Sequence, residues 1–454
     1  MNDITAIFAF LKYCLGYKGD MSRVIAGMNW HELYSFASKQ ALLGLCFEGI
    51  ERLGEEYPEE LKQNPIGREL LMTWMGKAQQ IRRQNMKVNA VANKLFAMLR
   101  EDGMRCCILK GQGNALMYPN PYSRTPGDID VWVNASRERI MEYASKKFEL
   151  GEDIRLQHLE TSLDGVPVEL HFFPCSMNNP IYHARLQKWF RRNADLQCSN
   201  VVSLPDGIGE IAIPTTAFNV VYQLTHLYHH FFDEGIGMRQ IIDYFLVVCD
   251  FYKVYQNSSK ITPSLFTIKE GSTSHPDPLT LRGEGENRPT RCSEPLRSKD
   301  GGPSKVSPDC AGWDRLDAIG DIASDASVSS AFTTDSSAST ALDVVQRELK
   351  YLGLWKFAGA VMFVLHEVLG LAEEKMIVPV DEKRGRLLLA EILDGGNFGK
   401  HFTKYGGFTH QSMGKKYFLK IWRNMHFVRY YPAEALSEPF FRTWHFFWRV
   451  KNKK

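Results

Sequence analysis

The chain has 454 residues, 44% of them apolar and 24% charged, with a formal net charge of +3. That length allows two or three domains around a substantial core, and the composition is that of a soluble globular protein. The charge alone points to no polyanionic partner, and no uncharged apolar run reaches the roughly 18 residues a membrane span needs. Nine cysteines, an odd number with no Cys-x-x-Cys pair, argue against a disulfide framework or zinc site and for a reducing cytoplasm.

The first residues, "MNDITAIFAFLKYCLGYKG", lack a basic leader and a cleavage site, and Lys12 interrupts the apolar run. An amphipathic helix is expected there rather than a signal peptide. Residues 1–103 read as helical. "WHELYSFASKQALLGLCFEGIERL" and "KVNAVANKLFAMLREDG" repeat apolar residues every three or four positions, the second stopping at Gly103. Residues 104–175 change to short apolar strands, glycine turns and an intervening helix, "SRERIMEYASKKFEL", which predicts a mixed α/β core. Residues 176–256 return to helix, as do residues 341–454. The fold class expected is α+β, a small mixed sheet between helical regions.

Residues 257–340 differ from the rest. Their 84 positions hold 16 Ser, 8 Thr, 7 Pro and 7 Gly but only Phe266, Trp313 and Phe332 as aromatics. So little apolar surface cannot offset the entropy of ordering, and the segment is expected to be a disordered insertion within a helical domain.

The chemistry concentrates in "ILKGQGNALMYPNPYSRTPGDIDVWV". Strand alternation sends Asp128, Asp130 and Trp132 to one face, and Ile129, Val131 and Val133 to the other. Two carboxylates roughly 7 Å apart on one face can share divalent cations, which would offset their repulsion and burial. A solvated edge strand would show the same alternation. Upstream, "RCCILKGQGNALMY" reads as strand, glycine turn and helix, an arrangement that presents free N–H groups to phosphate, or a plain strand-to-helix turn. Leu116 stands where a third dinucleotide-fingerprint glycine would be, and no Gly-Lys-Ser/Thr makes a Walker loop. Arg124, just before the strand, can meet a phosphate or pair with an aspartate.

Asp164-Gly165 between "IRLQHLETSL" and "VPVELHFF" is a strong hairpin signal. A two-residue loop pairs 163 with 166, 160 with 169 and 158 with 171. His158, Glu160, Glu169 and His171 then share one face with the glutamates opposed, so a cation or the histidines must offset their charge.

These residues together resemble the uncharacterised nucleotidyltransferase family of the polymerase-β-like superfamily, over "LKG…YPNPYSRTPGDIDVWV" and "HLETSLDGVPVELHFF". The helical stretches "HLYHHFFDEGIGMRQIIDYFLVV" and "GLWKFAGAVMFVLHEVLGL" look like the same family, so only the polar insertion lies outside its pattern. The resemblance implies that Asp128, Asp130 and Glu169 are the catalytic, metal-binding triad for two Mg²⁺ ions. It places Lys110, Gly111, Gln112 and Gly113 by the phosphates of an NTP such as ATP, with Arg124 beside them. The implied reaction moves a nucleoside monophosphate onto a hydroxyl of a small molecule, sugar or protein. Gln112 departs from the Ser or Gly usual after the first glycine, and the interval from Gly111 to Asp128 is longer than usual.

His226, His229 and His230 on "FNVVYQLTHLYHHFF" have zinc spacing, but a packed or surface role is the expectation. Arg239 and Asp243 are spaced i, i+4 after the "EGIG" turn, as an ion pair or as a triphosphate-binding arginine oriented by its aspartate. The last 44 residues hold ten Lys/Arg and two Glu among many aromatics. They suit nucleic acid, a membrane surface or an anionic substrate, yet "YFLKIWRNMHFV" has helical spacing and is read as a core-facing stripe. Competing readings are a nucleotide-binding scaffold without turnover and a nucleic-acid-modifying transferase.

Overall fold

The computed structural model describes residues 3–256, 340–402 and 413–452, all within one compact unit. The expected insertion, 257–340, lies outside these residues apart from Thr340. That residue caps the helix that follows, its hydroxyl accepting from Asp343 N at 3.2 Å.

Six helices come first: α1 (Asp3–Cys14), α2 (Ser22–Ala26), α3 (Trp30–Lys39), α4 (Leu43–Glu56), α5 (Pro58–Gln63) and α6 (Arg68–Glu101). The mixed region follows as β1 (Cys106–Leu109), α7 (Gly111–Ala115), β2 (Ile129–Val133), α8 (Arg137–Lys147), β3 (Leu150–Ile154), β4 (His158–Leu163) and β5 (Val166–His171). Then come α9 (Pro180–Ser199), β6 (Val201–Ser203), β7 (Glu210–Ala212), α10 (Thr216–Asp233) and α11 (Met238–Gln256). The chain resumes with α12 (Ala341–Tyr351), α13 (Trp355–Leu369), α14 (Glu382–Gly395), α15 (Met413–Met425) and α16 (Pro432–Asn452). Within the helical region 176–256, the two-stranded β6–β7 sheet separates α9 from α10. Its three-residue strands are too short to carry a period.

The main sheet runs β1-β2-β5-β4-β3. Only the β2–β5 pairing is parallel. The hairpin forms in the expected register, His158 opposite His171, Glu160 opposite Glu169 and Leu163 opposite Val166. Asp164 and Gly165 both take positive φ, +50° and +71°, as a type I′ turn requires.

Strand β2 is interior and buried throughout, not a solvated edge. Ile129, Val131 and Val133 pack with Val168, Leu170 and the α6 residues Val91, Leu95 and Leu99. On the other face Trp132 stacks on Phe218 at 6.2 Å, which itself lies 4.4 Å from Trp189. The core on this face runs without a break from α1 through α10 and α11 to α13 and α14. Helix α6 thus covers one face of β2, and α9 and α10 cover the other through Phe190 and Phe218.

The connection from α7 to β2 is pinned rather than loose. Asn85 on α6 donates to the carbonyls of Tyr122 (3.0 Å) and Arg124 (2.7 Å). Thr125 donates to Ala41 O at 2.8 Å. Gly44 on α4 approaches so closely that a Cβ there would stand 2.2 Å from Ser123 O. The approach to Asp128 is therefore fixed by α6, by α4 and by the turn between α3 and α4.

The C-terminal hairpin corrects another expectation. Phe418, Trp422 and Met425 on α15, and Leu436, Phe440, Trp444 and Phe447 on α16, are exposed. The helices attach through their opposite, largely polar faces. Asp233 accepts from Lys420 (3.2 Å) and Arg442 (2.9 Å), and Arg423 and Asn424 donate to the carbonyls of Phe231 and Phe232. Helical periodicity identified the stripe, but carbonyl-seeking polar side chains decided which face turns inward.

Candidate active site

The site begins at the end of β1. Lys110 adopts φ +53°, uncommon for a residue with a Cβ, and Gly111 follows at +37°. This sharp turn sends the lysine side chain back across the sheet. Its Nζ donates to Asp130 Oδ1 at 2.9 Å and to His226 Nε2 at 3.1 Å. An ammonium has no acceptor, so this histidine nitrogen is unprotonated. Burial, and then the charge of Lys110, holds the His226 imidazole well below its usual range.

Asp130 and Glu169 are paired residues on the parallel strands β2 and β5. His171 joins them, its Nε2 lying 2.9 Å from Asp130 Oδ1 and 3.2 Å from Glu169 Oε2. Burial alone would lower the imidazole's proton affinity, but the two carboxylates outweigh it and lift His171 to about 9. Burial would likewise raise Asp130, yet Lys110 and His171 hold it well below the ordinary carboxylate range. Asp128, exposed at the lip of β2, has no such partner. Repulsion from Asp130, then partial burial and Glu169, lifts it to about 6. Of the expected triad, Asp130 and Glu169 meet at one nitrogen of His171, and Asp128 feels the charge of both.

His158, opposite His171, is 7% exposed. Its Nδ1 is 3.3 Å from Glu169 Oε2 and its Nε2 is 3.8 Å from Glu160 Oε1, and neither nitrogen has a hydrogen-bond partner. Burial lowers it to about 3. Glu160 pairs outward with Arg155 at 2.9 Å, so the opposed glutamates are separated by their counter-groups.

The other expected residues divide. Gly111 and Gly113 carry the backbone past the site, and a Cβ at Gly113 would meet Ile213 Cγ2 at 3.0 Å. Gln112 is buried and bonds to Asn89 on α6. Arg124 forks onto Asp243, with Nε at 2.9 Å and Nη2 at 2.8 Å, and Tyr118 donates to the same carboxylate at 2.8 Å. The spacing-based pairing of Arg239 with Asp243 is therefore not the one formed. Arg239 donates to Thr125 O at 2.9 Å and lies over the Phe398 ring at 5.6 Å. It also shares the buried neighbourhood of Arg124, which together with burial lowers its proton affinity. The partnership of Lys110 with His226 was not legible in sequence, since 116 positions separate them. His229 and His230 pack beside His226, the rings of His226 and His230 being 4.3 Å apart.

Among the described residues, the donor atoms that lie close enough together to hold a metal ion are those of His158, Glu169 and His171, all within 4.8 Å of one another. Among the described residues, no helix is long and apolar enough to cross a membrane.

No curated protein matches the chain. A crystal structure of an antigenic nucleotidyltransferase-like protein from Paracoccidioides brasiliensis is similar at 17% identity, over 36% of this chain and 75% of that one, with a TM-score of 0.25. Residues 26–255 match the family model described as an uncharacterised nucleotidyltransferase. That span contains the whole five-stranded sheet, Asp128, Asp130, Glu169 and the α10 helix that carries His226, and the chain belongs to this family of uncharacterised nucleotidyltransferases.

Proposed function

We propose that the protein is a Mg²⁺-dependent nucleotidyltransferase that moves a nucleoside monophosphate from an NTP to a hydroxyl acceptor. The observation carrying this reading is the pairing of Asp130 with Glu169 across parallel strands, joined through one nitrogen of His171, with Asp128 repelled by both. Asp128, Asp130 and Glu169 would hold two Mg²⁺ ions. When bound, these supply Lewis-acid stabilisation of the transferring phosphoryl group and lower the pKa of the attacking hydroxyl.

The chain's own groups do the positioning. Lys110, braced by His226, reaches the carboxylates from the β1 turn, where it can neutralise a phosphate oxygen once nucleotide draws it from Asp130. Gly111 and Gly113 let the backbone pass close to the triphosphate, with Gln112 fixing the short α7 to α6. Arg124 and Arg239 set the electrostatics behind the loop, Arg124 through its fork on Asp243. Glu169, already sharing a proton with His171, is placed to accept the acceptor's proton. A small molecule, sugar or protein hydroxyl suits a site whose accessible lip is acidic better than a nucleic acid does.

The test combines binding with turnover. Melting is followed with each NTP with and without Mg²⁺, and pyrophosphate release is followed over a panel of acceptors. Metal-dependent stabilisation that disappears in Asp128→Ala plus Asp130→Ala supports the site. Equal response of that double variant and the wild type removes it. Binding without release on any acceptor assigns a nucleotide-binding scaffold instead. Release dependent on RNA or DNA, with steep salt sensitivity, assigns a nucleic-acid substrate.

A further inference from the structure

We propose that His158, Glu169 and His171 form a site for a first-row transition metal, distinct in donor chemistry from an all-oxygen Mg²⁺ position. The proposal deepens the nucleotidyltransferase reading, since Glu169 is common to both.

The geometry comes from the hairpin. The type I′ turn fixes the register that sets His158 opposite His171, with ring centroids 5.0 Å apart. Glu169 Oε2 stands between the rings, 3.3 Å from His158 Nδ1 and 3.2 Å from His171 Nε2. In a tetrahedral shell with bonds of ~2.0–2.1 Å, neighbouring donors lie about 3.3 Å apart. Two of the three separations already have that value, and all three donor atoms fall within 4.8 Å of one another.

His158 supplies the second, independent observation. It is 7% exposed, both its nitrogens lack a hydrogen-bond partner, and Nδ1 lies 3.3 Å from Glu169 Oε2. Buried polar groups are almost always satisfied, and an imidazole left bare beside a carboxylate is explained by a ligand that the pair shares. His171 has its proton engaged with Asp130 and Glu169. A metal would replace that proton on Nε2 and release it to solvent, raising the charge of the site by one among the carboxylates of Asp128, Asp130 and Glu169. Two imidazole nitrogens and one carboxylate oxygen suit Zn²⁺, Co²⁺ or Mn²⁺, whereas Mg²⁺ favours an octahedron of oxygens. The remaining coordination position would face Asp130 and the nucleotide lip.

The experiment uses the full chain, stripped with chelator, and Co²⁺ as the probe. Titration is followed by visible absorption and calorimetry, with Mg²⁺ titrated separately. The expected result is one Co²⁺ per chain, bound at least tenfold more tightly than Mg²⁺, with the intense d–d bands of a four- or five-coordinate site. His158→Ala and the milder His158→Asn should each weaken Co²⁺ at least tenfold, checked against an unchanged circular dichroism spectrum. Asp195→Asn, an exposed α9 carboxylate paired with Arg105 and apart from the site, should keep Co²⁺ affinity within about threefold. Co²⁺ no tighter than Mg²⁺, or an affinity indifferent to both folded His158 variants, overturns the proposal. The nucleotide reading is judged separately, by whether Asp128→Asn abolishes stabilisation by NTP with Mg²⁺. Either conclusion can therefore fail alone.

Discussion

Lys110 and Asp130 form a buried ion pair at 2.9 Å, with side chains 17% and 7% exposed. The pair joins the glycine turn to the carboxylate strand before any cation or nucleotide arrives. Removing only Lys110 leaves a buried carboxylate with His171 as its remaining partner, and removing only Asp130 strands the ammonium beside His226. Lys110→Met and Asp130→Asn should each lower stability by roughly 2–4 kcal/mol in urea unfolding, with a coupling of about 1–3 kcal/mol in the double variant. Strict additivity would show that the pair is not formed in solution.

Much of this pairing network was hidden from the sequence for one reason, that its partners are far apart in the chain. The local elements were legible. Asp164-Gly165 dictates a positive-φ turn, that turn dictates the register, and the register places His158, Glu160, Glu169 and His171 on one face. Alternation in β2 likewise placed Ile129, Val131 and Val133 in the core, although Trp132 on the carboxylate face is buried as well. His226, by contrast, reaches Lys110 from α10, and no spacing rule connects them. Asp243 lay four residues from Arg239 but pairs with Arg124, because the pinned loop delivers a forked donor in the right plane. Periodicity could not choose the inward face of α15 either, where Arg423 and Asn424 seek the carbonyls at the end of α10.

His171 gives the fold a pH dependence of definite sign. Its folded value of about 9 exceeds the ordinary imidazole value of about 6.5. The protonated imidazole therefore contributes stability that is fully present below pH ~6.5 and lost as pH rises through about 9, at most roughly 3–4 kcal/mol. In chelator, the melting temperature of the wild type should fall over that window. His171→Gln should start lower and show a flatter alkaline limb. A wild-type limb no steeper than the variant's would contradict the shared proton.

Asp128 sets the acid side of cation binding. Its carboxyl, raised to about 6 by Asp130 and partial burial, is protonated in the metal-free site at pH 5. A divalent ion must displace that proton. Stabilisation by NTP with Mg²⁺ should grow between pH 5 and 7 with a midpoint near 6, about tenfold in apparent affinity, and Asp128→Asn should remove the dependence along with most of the binding. A midpoint unchanged by that substitution would assign the titration elsewhere.

Arg124 and Asp243 bear on how the loop before β2 is held. Both side chains are almost wholly buried and meet at 2.8 Å, with Tyr118 completing the carboxylate's shell. Arg124→Ala leaves that carboxylate with one phenol hydrogen bond and the more distant charge of Arg239, and should cost about 3–5 kcal/mol in urea unfolding. Arg124→Lys should recover little, because an ammonium cannot reproduce the two-pronged contact. Asp243→Asn should destabilise comparably, since the guanidinium then loses its charge partner in the same interior. A phosphate-only role for Arg124 makes a different forecast, weaker nucleotide binding at full stability. Measuring urea midpoints beside nucleotide-induced melting shifts in the three variants separates the two, and a stable Arg124→Ala protein with lost nucleotide response would return the arginine to the ligand.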